Sequence, residues 1–171
     1  MGREVRRVPA DWKHPEGKQG YVPIEEGDFE SDLKNWKEEY DKWNEGYMKD
    51  WDNKTHKDVW VKRTGNALTD AYYEWFGKRP EKEDYMPQWT EEEATHYQMY
   101  ETVSEGTPIS PVMASPEELA RWLTDNDANA SGRMTASYEG WLRVCKGGYA
   151  CSAVFIDGKF QSGVEGMKDC K

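Results

Sequence analysis

The chain has 171 residues, 23 Lys and Arg against 33 Asp and Glu, and a formal net charge of -10. That length predicts one domain, or one domain with an appended arm. The acidic balance disfavours general nucleic-acid binding, because phosphate repels a carboxylate-rich surface.

Aliphatic residues are sparse, but 9 Trp and 10 Tyr supply large rings, so an aromatic core is expected. No run approaches the ~18 apolar residues of a membrane span, and the basic N-terminus has no apolar stretch behind it. Cys145, Cys151 and Cys170 are an odd count and suggest no disulfide framework. A reduced, cytoplasmic setting follows. The acidity is concentrated in the middle of the chain, where residues 28–106 carry eleven basic and twenty acidic side chains.

In chain order, residues 1–27 read as an extended N-terminal arm, because Pro9, Pro15, Pro23, Gly17 and Gly20 break helices. Trp12 and Tyr21 are its candidate anchors. Residues 28–171 read as a single α+β domain, with a helical acidic part at 28–95 and a second part at 96–171. Phe29, Leu33, Trp36, Tyr40, Trp43, Tyr47 and Trp51 recur at three and four, which predicts a helix over 28–52 with Asp28 as N-cap and a ring-rich stripe on one face. Gly46 is a weak spot within it.

Residues 53–66 are polar around Val59-Trp60-Val61, a loop or an edge strand. Residues 67–76 read as a short helix stopped by Gly77. Thr90-Glu91-Glu92-Glu93 resembles a capped turn, and residues 96–104 are β-prone, with Tyr97, Met99, Glu101 and Val103 on one side. A Pro-stiffened loop follows to Pro111. Ser115, Pro116 and Glu118 form a capping box opening a helix over 115–125. A second helix is expected at 136–146, with Thr135 as candidate cap and Gly147-Gly148 as its end. Two short β-prone runs around Asp157-Gly158 predict a C-terminal hairpin. The whole reads as aromatic-rich helices packed on a small antiparallel sheet.

The chemistry-bearing motifs are few. No Gly-rich phosphate loop, nucleophile elbow or His-Glu-x-x-His is present, and no cofactor or metal is expected. His14 and His56 read as solvated. His96, Tyr100, Glu101, Ser104, Glu105, Thr107 and Ser110 concentrate polar groups around the 96–111 loop and form the candidate binding loop. A converging pair such as Glu101 and Glu105, or His96 among carboxylates, would suit acid–base work. The plainer reading is turn chemistry, with hydroxyls satisfying backbone groups. Trp36, Tyr40 and Trp43 with Glu91, Glu92 and Glu93 form the candidate partner surface. Core packing for the rings and solubility for the acids are the alternatives.

The run Met99-Tyr100-Glu101-Thr102-Val103-Ser104-Glu105-Gly106-Thr107-Pro108-Ile109-Ser110-Pro111-Val112 resembles a signature of small proteins of tailed bacteriophages and prophages. Residues 115–123, 138–142, 152–154 and 162–165 are similar too, as are 6–15, 73–75 and 85–89. The likeness covers most of the chain and is weakest at 27–66. It carries over no catalytic residues. What it implies is a phage gene product acting in the host bacterial cytoplasm.

Four functions are therefore weighed. The first is a non-catalytic protein that binds and inhibits or redirects a host protein, such as a defence component. The second is a small-ligand or nucleotide-sequestering protein, the third a small enzyme using the 96–111 loop, and the fourth a minor virion part. The first has most support. Its partner is a host bacterial protein, with no direct nucleic acid and no membrane, and with a homo-oligomer left open.

Overall fold

The computed structural model describes residues 2–102, 106–156 and 158–167. In chain order the elements are β1 (Arg3–Val8), β2 (Glu16–Gly17), β3 (Gly20–Tyr21), α1 (Phe29–Asn44), β4 (Tyr47–Asp52), β5 (Lys57–Lys62), α2 (Tyr72–Phe76), β6 (His96–Glu101), β7 (Thr107–Pro108), α3 (Pro116–Asp125), α4 (Tyr138–Gly147), β8 (Tyr149–Ala150), β9 (Ala153–Ile156), β10 (Lys159–Ser162) and α5 (Gly163–Gly166). The class is α+β with antiparallel sheets, as the sequence predicts, and the chain divides into two compact units. One comprises residues 1–25 with 87–171, the other residues 26–86.

The first unit is built on a four-stranded antiparallel sheet in the order β7-β6-β1-β8. Residues 3–8, expected within an extended arm, supply an inner strand. β1 lies against β6 over its whole length, from Arg3 opposite Glu101 to Val8 opposite His96. Directly opposed residues share a face. Val5 and Met99 therefore point to one side, where they pack with Leu119, Leu123, Trp141 and Val144 of α3 and α4. Arg6 and Gln98 point to the other, where residues 12–24 lie. Both faces of β6 are covered, so Gln98, Met99 and Tyr100 are all buried in succession and the alternation expected of a half-solvated strand is lost. Val103 and Ser104, the expected end of this strand, lie outside the described residues.

The Ser115 cap of α3 is present, with Ser115 Oγ accepting from the Glu118 amide at 3.2 Å. The back-reaching Glu118 carboxylate takes the Ala114 amide, at 3.2 Å from Oε2, rather than the Ser115 amide of a strict capping box. α4 begins later than expected. Its cap is Ser137, whose Oγ accepts from the Gly140 amide, rather than Thr135. Glu165 holds Ser137 in place by accepting from both its amide (3.0 Å) and its hydroxyl (2.9 Å), a constraint from 28 residues away that local sequence does not reveal. α4 closes on Gly148 in the left-handed region (φ 89°).

The C-terminal hairpin β9–β10 forms as predicted, with Phe155 opposite Phe160; Asp157 of its turn lies outside the described residues. α5 seats the hairpin through close approach. A Cβ on Gly163 would stand 1.9 Å from the Cys151 carbonyl oxygen, and one on Gly166 2.2 Å from Val154 Cγ2.

In the second unit, Asp28 caps α1 by accepting from the Glu30 amide at 3.1 Å. The helix ends at Asn44 instead of running to 52. Gly46 adopts φ 94°, and its amide closes the last turn on the Trp43 carbonyl at 3.0 Å. Tyr47 and Trp51 then belong to β4, which pairs with β5. A spacing of four fits a helical face and, being even, also fits one face of a strand. The Gly that weakened the helix on paper is its terminator. The helix expected over 67–76 is likewise split into a 3-10 turn at Gly65–Leu68 and the short α2.

The core of this unit is Trp43, Ala67 and Tyr72, with Trp36, Met48 and Phe76 packed around it. The Tyr72 ring meets Trp36 edge-on at 5.4 Å and stacks on Phe76 at 5.2 Å. Its hydroxyl donates to Glu39 Oε2 at 3.1 Å. The Arg63 guanidinium lies 4.4 Å over the Trp43 ring.

Candidate functional site

β1, β6 and the 106–111 loop, with the segment from Trp12 to Ile24, bring polar side chains together inside the first unit. Tyr100 is their centre. Its hydroxyl accepts from Trp12 Nε1 at 3.1 Å and donates to Gln98 Oε1 at 2.8 Å. The Gln98 amide is oriented by its other end, where Nε2 donates to the Ser110 carbonyl at 2.8 Å. The Arg6 guanidinium stacks 4.4 Å over the Tyr100 ring and donates from Nη1 to the Ile24 carbonyl at 2.8 Å. Burial raises the Tyr100 pKa, so the phenol stays protonated at neutral pH.

His14 completes this cluster. The sequence suggested a solvated side chain between Lys13 and Pro15, but the structure buries it. Its Nε2 faces the Val22 carbonyl at 2.6 Å, and a carbonyl only accepts, so Nε2 carries a proton. Nδ1 lies 3.3 Å from the Tyr100 hydroxyl. The rings of Trp12, Tyr21 and Tyr100 surround the imidazole at 6.3, 5.4 and 5.5 Å. Burial lowers its pKa, the Val22 bond opposes that, and the Arg6 charge adds to the lowering.

Of the loop residues singled out from sequence, Tyr100, Glu101 and Ser110 are held by internal contacts. Ser110 Oγ accepts from the Met99 amide and donates to the Pro111 carbonyl, both at 2.9 Å. Glu101 lies 3.7 Å from the guanidinium of Arg3, which is buried and also donates to the carbonyls of Asn129 (2.7 Å) and Gly2 (3.0 Å). Thr107 pairs opposite Glu101 on β7. His96 sits at the start of β6, half-buried, with Nδ1 at 2.9 Å from the Thr95 hydroxyl. Ser104 and Glu105 lie outside the described residues. These distances give the loop the bonding of a structural turn: hydroxyls and amides satisfy backbone groups, and the one described carboxylate faces a buried cation.

Arg3, Arg6, His14 and Gln98 were not singled out from the sequence, and Trp12 was named only as an anchor of the arm. The available signal was the alternation of β1, whose Arg6 and Val8 fall on one face, and the spacing of two between Trp12 and His14.

The candidate partner residues fall in different units. Trp43 is interior, Trp36 stacks on Tyr40 at 4.9 Å, and Tyr40 is exposed. Glu91, Glu92 and Glu93 are exposed, and Glu93 closes the expected turn by accepting from the Thr90 amide at 2.9 Å. The Thr90 bonds lower its pKa.

Among the described residues no group of three or more His, Cys, Asp or Glu is placed to hold a metal ion. Cys145 is buried, which pushes its thiol up to about 12. Among the described residues no helix is long and apolar enough to cross a membrane. Set against known protein families, curated proteins and solved structures, the chain matches none.

Proposed function

We propose that the chain is a bacteriophage accessory protein that binds a host bacterial protein and inhibits or redirects it without catalysis, a defence component being the favoured class of target. The phage setting rests on the resemblance of residues 99–112. The binding part rests on one observation above all: Phe155 and Phe160 stand opposite each other on the β9–β10 ribbon at 72% and 66% exposure. Two neighbouring phenyl rings in water favour a partner that covers them, because each Å² of apolar surface removed contributes about 25 cal/mol. Trp51, Tyr73 and Trp75 of the second unit are exposed as well. The net charge of -10 suits a basic partner, with charge acting mainly on the encounter rate.

The test is affinity capture from a susceptible bacterial host, followed by reconstitution with the purified captured protein. The reading expects a defined-stoichiometry complex that a Phe155→Ser, Phe160→Ser double variant weakens by about tenfold or more. A variant that binds as tightly as the parent removes the hairpin from the interface. Failure to form a complex with any purified candidate rejects the reading.

A further inference from the structure

Along α3, Glu118, Trp122 and Asp125 stand at positions i, i+4 and i+7 and so share one face of the helix. With Met113, Arg121 and Tyr138 they line an open groove of about 490 Å³. Its lining combines Met113 and two aromatic rings with three carboxylates. Of these, Glu117 is taken by Lys146 at 2.7 Å. Among the described residues Glu118 and Asp125 make no ion pair with a cation of the chain, and Glu118 Oε2 accepts from the Ala114 amide at 3.2 Å. The groove also shows how its rings handle a planar cation, since the Arg121 guanidinium lies 4.4 Å over the Tyr138 ring. The half-buried Trp122 indole, flanked on its own face by two carboxylates, offers a second position of the same kind.

We infer that this groove receives an arginine side chain from a basic segment of the protein partner, with the guanidinium stacked on Trp122 and its N–H groups donating to Glu118 and Asp125. The inference rests on the proposed binding function and names the chemistry of the partner. Arginine suits the site better than lysine because its planar fork stacks and donates at once, whereas an ammonium is a strongly hydrated point charge. The charge balance agrees: with Glu117 taken by Lys146, two lining carboxylates remain against the single lining cation Arg121.

The test uses the full chain labelled with 15N and three amidated peptides, in which Gly alternates with Arg, Lys or Glu. The Arg peptide should shift the Trp122 indole N–H and the Tyr138 amide, bind more tightly than the Lys peptide, and leave the Glu peptide without effect. Glu118→Gln with Asp125→Asn removes both charges while keeping one side-chain oxygen at each position, and should weaken the Arg peptide by about five- to tenfold, as befits two exposed charge pairs. Shifts confined to other residues, or affinity unchanged within about twofold in the double variant, overturn the assignment to this groove. The same variant separates this inference from the broader reading. If a reconstituted host complex is untouched by it, the groove assignment falls and the binding function stands. If the Arg peptide seats on Trp122 but no host protein forms a complex, the groove stands and the proposed function falls.

Discussion

His14 and Tyr100, 86 positions apart in the chain, meet at 3.3 Å inside the first unit, with the His14 Nε2 proton held by the Val22 carbonyl at 2.6 Å. This contact ties the segment carrying Trp12 and Val22 to β6, and it contains a titratable imidazole. Burial and the Arg6 charge hold the His14 pKa below its ordinary 6.5, with Glu16 acting the other way. A base whose folded pKa is lowered binds fewer protons folded than unfolded, so stability falls as pH drops through about 6.5 and levels once the pH is below the folded value. Chemical denaturation at pH 7.5 and 5.5 should show this loss in the parent. In His14→Phe the pH-dependent difference should shrink. An equal pH dependence in both proteins contradicts a buried, neutral His14.

The Arg3–Glu101 pair gives a second expectation. Arg3 is buried with two backbone carbonyls and one carboxylate as partners. Arg3→Met strands Glu101 and should cost about 3–5 kcal/mol in unfolding free energy, while pairing it with Glu101→Gln should recover part of that loss. Strictly additive losses would mean that the two side chains are uncoupled and would return Glu101 to the list of candidate reactive groups.

Helix caps provide a direct comparison. Ser115→Ala and Ser137→Ala should each cost about 1 kcal/mol, because each frees an amide that a hydroxyl now satisfies. Thr135→Ala should change stability by less than about 0.5 kcal/mol, since it lies outside α4 and is exposed. Thermal unfolding of the three variants decides the point.

The ring cluster of the second unit separates interior from surface. Trp43→Ala removes a buried indole packed against Tyr72 and Phe76 and should cost about 3–5 kcal/mol. Tyr40 is exposed on one side, and Tyr40→Ala should cost clearly less. Equal costs would place both rings in the interior.

These elements show what the sequence discloses and what it hides. The start of α1 at Asp28, the Ser115 cap of α3 and the β9–β10 hairpin were legible because each is encoded by residues within a few positions of one another. The end of α1 was not, because 43, 47 and 51 satisfy two periodicities and only the left-handed Gly46 breaks the tie. The strand Arg3–Val8 was hidden by the Pro and Gly residues that follow it, since its pairing is made with residues more than 80 positions away. The fate of the 96–111 loop was open for the same reason. Whether Tyr100 and Ser110 are reactive or structural depends on Trp12, Gln98 and Met99, and only the folded arrangement brings Trp12 to Tyr100.

Whether the chain acts as a non-catalytic inhibitor of a host protein is decided by titrating the purified chain against the activity of its captured and reconstituted host partner. Inhibition should rise in proportion to the chain added and be complete near a fixed stoichiometric ratio. Dissociating the complex should restore activity. Inhibition that goes to completion at a small fraction of that ratio, and persists after the chain is removed, would show turnover and overturn the proposed function.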